Sequence, residues 1–176
     1  MAPFRILGID PGTRKVGYGV LEVAERVRGE RVPFRYVECG VIEVPGHEDL
    51  CERIFIVAQT LSEVIEEFAP NVMAIEKAFY GRNAASALKL GQARGALMLM
   101  ARLRSVRVFE YAPAQIKQAV TGHGRATKAE IQHRVGALCR LQCLPAADAA
   151  DALAIALCHG FQHEARPSTS ALRQAT

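Results

Sequence analysis

No run in this chain of 176 residues reaches the ~18 consecutive apolar residues that a membrane-spanning helix needs. The opening stretch MAPFRILGID also lacks the apolar core of a secretory leader. No membrane role is therefore expected. Cys39, Cys51, Cys139, Cys143 and Cys158 contain no C-x-x-C pair, and their number is odd. That argues against a disulfide framework and for reduced thiols in a cytoplasmic protein. Cys139 and Cys143 stand four apart, as do His159 and His163, but both pairs fall in Ala- and Leu-rich runs and no complete zinc ligand set accompanies them. Internal repeats and Gly/Pro/Ser linkers are missing too. The expectation is one domain over residues 1–165, followed by a polar tail, 166–176, too poor in apolar residues to stay ordered.

Acidic residues are scarce in one region. Between Lys77 and Arg134 there are 11 basic residues and 2 acidic ones, a net charge of +9. The segment before it carries −5 and the segment after it 0, so the overall +4 conceals the asymmetry. Such a block is the electrostatic footprint of a polyanion partner, nucleic acid first, with a merely solvated basic face as the alternative.

Half of the residues are hydrophobic, and they fall into periodic segments. FRILGID and VGYGVLEV read as strands joined by a Pro-Gly-Thr turn, and FRYVECGVIEV as a third strand after a polar loop, RVRGERVP. Apolar residues at Leu50, Ile54, Val57, Leu61, Val64, Ile65 and Phe68 have helical spacing, and Pro70 stops that helix. NVMAIE is a short buried strand and KAFYGRN a basic, aromatic loop. AASALKLGQARGALMLMARLR is a long helix, and VRVFEY a fifth strand whose approach through a helix predicts parallel pairing. Pro113 opens a short helix. Thr127 and Glu130 have capping-box spacing before the next, and the last helix contains ADAADALAIALCH. The fold class is α/β: a mixed five-stranded sheet, its first three strands antiparallel, flanked by helices.

Four carboxylates stand in apolar settings. Asp10 and Glu76 end predicted buried strands, and Asp148 and Asp151, three apart, share one face of the last helix. A carboxylate near a core is costly unless it is paired or bound to a cation. Carboxylate oxygens suit Mg²⁺ or Mn²⁺, and two ions per site beside a basic surface suit phosphodiester hydrolysis. Three of the four also have a plainer reading, which leaves Asp151 over. Asp10 can serve a turn, Glu76 can pair with Lys77 or Arg82, and Asp148 can sit on the helix dipole.

The segments LGIDPGTRKVGYGV, AIEKAF, NAASALKLGQARG, FEYAPAQIKQAVTGHGRATKAEIQ and ADAADALAIALCH occur in this order from Ile6 to about His159. Together they resemble the RuvC-type Holliday-junction resolvases. The resemblance implies a ribonuclease-H-like fold and a homodimer that cuts four-way junction DNA by two symmetric nicks in recombination and repair. It also implies a branch-migration motor and its junction-binding partner as companions, with action at the nucleoid. It assigns catalytic and metal roles to Asp10, Glu76, Asp148 and Asp151. It places a junction-inserting aromatic at Phe79 and phosphate-handling lysines at Lys117 and Lys128. Arg82, Arg14 and Lys15 are further candidates for DNA phosphate. In Ala87, Gly91 and Gly95 the chain has small residues four apart, which suit either a dimer face or packing within one subunit.

Two other classes compete. The stretch IDPGTRKVGYGV also looks like the phosphate hairpin of sugar-kinase, actin and heat-shock ATPases, but the second Gly-rich hairpin of that group is missing here. A branched-DNA-binding module that does not cut is the other.

Overall fold

The computed structural model describes residues 3–23, 34–77 and 83–164. The loop expected at RVRGERVP, the positions Phe79 and Arg82, and the tail 166–176 lie outside the described residues.

Three strands open the chain: β1 (Phe4–Asp10), β2 (Lys15–Val23) and β3 (Phe34–Glu43). β1 pairs with β2 and β2 with β3, both antiparallel, as the short connections require. Helix α1 (Leu50–Phe68) follows. Asp49 caps it by accepting the Glu52 N–H, and its buried stripe is Val57, Leu61, Val64 and Ile65. It ends at Ala69, in the left-handed region at φ 44°, immediately before Pro70. Next come β4 (Val72–Glu76), α2 (Ala84–Leu103) and β5 (Arg107–Tyr111). β4 runs parallel to both β1 and β5, so the sheet order is β3-β2-β1-β4-β5. Helices α3 (Pro113–Thr121), α4 (Lys128–Leu138) and α5 (Ala147–Glu164) complete the chain. The mixed five-stranded sheet is the one expected from the sequence.

The sheet separates two cores. On one face Leu7, Ile9, Val20, Met73 and Ile75 meet Val57, Leu61 and Leu97 from α1 and α2. On the other, Ile6, Leu21 and Ala74 meet Ile116, Ile131, Leu153 and Leu157 from α3, α4 and α5. Burying each such aliphatic side chain contributes about 1.5–3 kcal/mol, so strands flanked on both faces read as nearly continuous apolar runs.

The capping box predicted for α4 is present. The Thr127 hydroxyl accepts the Glu130 N–H, and the Glu130 carboxylate accepts the Thr127 N–H. Thr127→Ala removes one half of it and should cost about 1 kcal/mol. In thermal denaturation that is a Tm lowered by about 2–4 °C for a domain of this size. Because Lys128 is the first residue of α4, the same change loosens a cation of the site described next.

Candidate active site

Parallel pairing of β1 with β4 ends at Ile9 opposite Ile75. The next residue on each strand is acidic: Asp10 on β1 and Glu76 on β4. Two neighbouring parallel strands thus deliver two carboxylates to the same carboxyl-end edge of the sheet, where open α/β sheets place their ligands.

Helix α5 brings the other two, and glycines on the sheet decide how close it comes. A Cβ added at Gly8 on β1 would lie 2.0 Å from the carbonyl oxygen of Ala152, and one at Gly17 on β2 would lie 2.0 Å from the carbonyl oxygen of Asp148. No real side chain fits either gap. The backbone of α5 therefore rests directly on β1 and β2, with Asp148 in its first turn. At the far end of α5, Tyr111 on β5 bonds to Nδ1 of the buried His159 at 2.8 Å. His159 is thus a core residue tied to the sheet. The sequence placed both glycines inside strands, and their use as a helix seat was not read from it. A clue lay in the pairing of glycine-bearing strands with an alanine-rich helix.

Asp10, Glu76 and Asp151 line a cleft of about 180 Å³ together with Lys117 of α3 and Lys128 of α4. Lys128 Nζ lies 3.3 Å from Asp151 Oδ2. Helix α5 itself contains no Lys or Arg to offset its two acids, and the fold supplies a lysine from α4. Even so, negative charge prevails. Burial, then the charges of Asp151, Glu76 and Asp148, push the Asp10 carboxyl up to about 7, against a small opposing effect of Lys128. Glu76 is raised by burial and by Asp151, with Lys128 and Lys117 opposing. Asp151 is raised by burial, with Lys128 opposing and Asp148 adding to the rise. Lys128 is itself raised, first by Asp151. Asp148 is not among the residues lining the cleft, but its charge acts on Asp10, Asp151 and Lys128.

The other candidates are placed differently. Lys15 is exposed and holds Glu43 at 2.6 Å. Arg14 is exposed at the β1–β2 turn, and neither lines the cleft. Glu76 forms no ion pair with Lys77 among the described residues. Nor do any three acidic, His or Cys side chains there close tightly enough on one point to ligate an ion as they stand. The donor chemistry still fits a hard divalent cation: oxygen ligands only, half-buried, and raised in pKa by one another.

Residues 6–159 match the family model described as crossover junction endodeoxyribonuclease RuvC. The chain belongs to the RuvC family of crossover junction endodeoxyribonucleases. It is 44% identical to RuvC of Thermomicrobium roseum over 90% of this chain and 93% of that one. It is 48% identical to RuvC of Edwardsiella ictaluri over 97% and 95%. Among solved structures it resembles Thermus thermophilus RuvC in complex with a Holliday junction substrate, at TM-score 0.82 and 35% identity over 92% of this chain and 96% of that one. A yeast mitochondrial Holliday junction resolvase shares the fold at TM-score 0.62 and 14% identity, over 91% of this chain and 81% of that one. The RuvC fold is therefore the frame in which the cleft has to be understood.

Proposed function

We infer that this protein is a structure-selective endodeoxyribonuclease that resolves four-way DNA junctions by paired, symmetric nicks in recombination and repair. One observation carries the reading: the cleft in which Asp10, Glu76 and Asp151 meet Lys117 and Lys128, with Asp148 acting on it from the first turn of α5. A nucleotide-binding ATPase has no use for four such carboxylates, and a module that only binds DNA has no reason to bear the cost of burying them.

Asp10, Glu76, Asp148 and Asp151 are the groups that would hold Mg²⁺ or Mn²⁺, two ions per site. When bound, such ions activate water and stabilise the leaving oxygen of a phosphodiester. The chain's own residues do the rest. Lys117 and Lys128 lie beside the carboxylates, where they attract and orient the scissile phosphate and offset its charge. Phe79, close in sequence to Lys77, Tyr80 and Arg82, supplies an aromatic face for an unstacked base at the junction centre. Arg14 and Lys15, exposed where β2 begins, are further candidates for the phosphate backbone of a DNA arm.

Two symmetric nicks need two clefts related by a two-fold axis, so a homodimer is part of the proposal. Helix α2 supports it as the dimer face. A Cβ added at Gly91 or Gly95 meets nothing within 4 Å, so packing within the subunit does not explain them. Leu88 and Leu99 on the same helix are 70% and 61% exposed. A branch-migration motor with its junction-binding partner would present the substrate, and the proposed setting is cytoplasmic. No helix among the described residues is long and apolar enough to cross a membrane.

The test compares wild type with Asp148→Asn on a synthetic four-way junction. Wild type with Mg²⁺ or Mn²⁺ should nick it, while Asp148→Asn should bind in a gel shift and leave it whole. A wild-type protein that binds the junction but never nicks it would establish the binding-module reading instead. Lys117→Ala should slow cutting on the order of 10²-fold, the scale of losing one charge-stabilising group. Junction affinity should fall steeply and linearly in log–log form as salt rises, through counterion release. Affinity flat with salt would contradict the role given to the +9 segment.

A further inference from the structure

Arg94 lies on α2, and its side chain is only 15% exposed. Its Nε donates to the backbone carbonyl of Glu76 at 3.0 Å. Its Nη2 forms a close ion pair with the carboxylate of Glu110 on β5. The first contact falls at an informative place. β1–β4 pairing stops at Ile9 opposite Ile75, one residue short of Glu76, so the Glu76 carbonyl lies beyond the last rung on that side. On the other side the Lys77 N–H donates to Tyr111 at 2.8 Å. The peptide unit that follows Glu76 is thus clamped from two directions, and one clamp is a side chain from another element.

We propose that Arg94 is a positioning residue for Glu76, fixing the end of β4 so that its carboxylate faces the cleft. The inference rests on the reading of Glu76 as a metal-holding group. The guanidinium suits the task because its planar fork reaches a carbonyl and a carboxylate at once, whereas a lysine ammonium is a point charge without that fork. Glu110 holds the fork in place. The arrangement also ties α2, the helix proposed to face the second subunit, to the floor of the active-site cleft. Helix position and Glu76 position are therefore linked through one side chain.

The experiment uses full-length wild type, Arg94→Ala, Arg94→Lys and Glu110→Gln. Four quantities are read: the single-turnover cutting rate at saturating junction, Mn²⁺ affinity of DNA-free protein by electron paramagnetic resonance, junction affinity in EDTA, and Tm. Arg94→Ala should lower the rate and the Mn²⁺ affinity by about 10- to 100-fold, the range seen when groups that orient metal ligands are removed. Junction affinity in EDTA should not change. Arg94→Lys should restore part of both losses, and Glu110→Gln should show a smaller loss of both. Should Arg94→Ala fail to fold, the Lys and Gln variants carry the comparison. A lowered Tm with wild-type rate and wild-type Mn²⁺ affinity, measured well below Tm, would show a merely structural arginine and overturn the proposal. If wild type does not cut junctions, the functional reading fails, and the Mn²⁺ titration still decides the Arg94 inference.

Discussion

Asp10→Asn should make the metal-free protein more stable and the enzyme inactive. Folded Asp10 holds its proton up to a pH of about 7, against 3.8 for a free side chain. Between those values the folded state binds a proton that the unfolded state has released. The favourable contribution is complete below about pH 4 and is lost as pH rises through about 7. Above that, the folded chain bears an ionised carboxylate pressed by burial and by Asp151, Glu76 and Asp148. Replacing it by a neutral amide removes the penalty. In EDTA at pH 8 the variant's Tm should exceed that of wild type by several degrees, at about 2–4 °C per kcal/mol for a chain of this size. The gap should narrow towards pH 5. Mg²⁺ should raise the wild-type Tm and leave the variant nearly unmoved, as binding to the folded state alone predicts. Junction cutting should fall on the order of 10³-fold or more, while gel-shift affinity persists. A variant less stable than wild type at pH 8 without metal would mean that the Asp10 carboxylate stabilises the fold, contrary to the electrostatics described.

Gly17→Ala should do the opposite to stability and the same to cutting. Its new Cβ would stand 2.0 Å from the carbonyl oxygen of Asp148 and 2.5 Å from the carbonyl carbon. Both atoms belong to helix backbone, so relief requires moving α5. We expect a loss of more than about 3 kcal/mol, the range of severe overpacking, or an insoluble product. Any folded fraction should be inactive, because Asp148 and Asp151 move with the helix. Gly91→Ala is the control. It meets open space and removes the glycine penalty inside a helix, so the isolated subunit should gain up to about 1 kcal/mol. Equal Tm changes in the two variants, measured by calorimetry, would refute the helix-seat account.

These two residues mark what a linear reading could and could not reach. The five strands were legible because a sheet covered on both faces needs unbroken apolar runs, and FRILGID and NVMAIE are such runs. The Pro70 stop, Pro113 at a helix start and the Thr127–Glu130 cap were legible because each is a local backbone requirement. Asp10, Glu76, Asp148 and Asp151 attracted attention because charge in apolar surroundings is costly wherever it occurs. What stayed hidden depends on contacts between distant segments. Gly17 read as an ordinary strand residue because its neighbour in space, Asp148, is far away in sequence. Lys128 could not be seen to offset Asp151 while α4 and α5 were separate strings. Arg94 was one cation among eleven until the fold brought it to the Glu76 carbonyl. Arg14 and Lys15 show the reverse: next to Asp10 in sequence, they do not line its cleft, and Lys15 is held by Glu43.

The most direct measurement maps nicks on a synthetic four-way junction with each strand labelled in turn, beside a linear duplex of the same sequence. Purified wild-type protein with Mg²⁺ or Mn²⁺ should give one nick in each of two strands, at symmetric positions and with ends that a ligase can reseal. EDTA should abolish both nicks, and the duplex should be largely spared. Cutting of junction and duplex at equal rates, or cutting that persists in EDTA, would contradict the account.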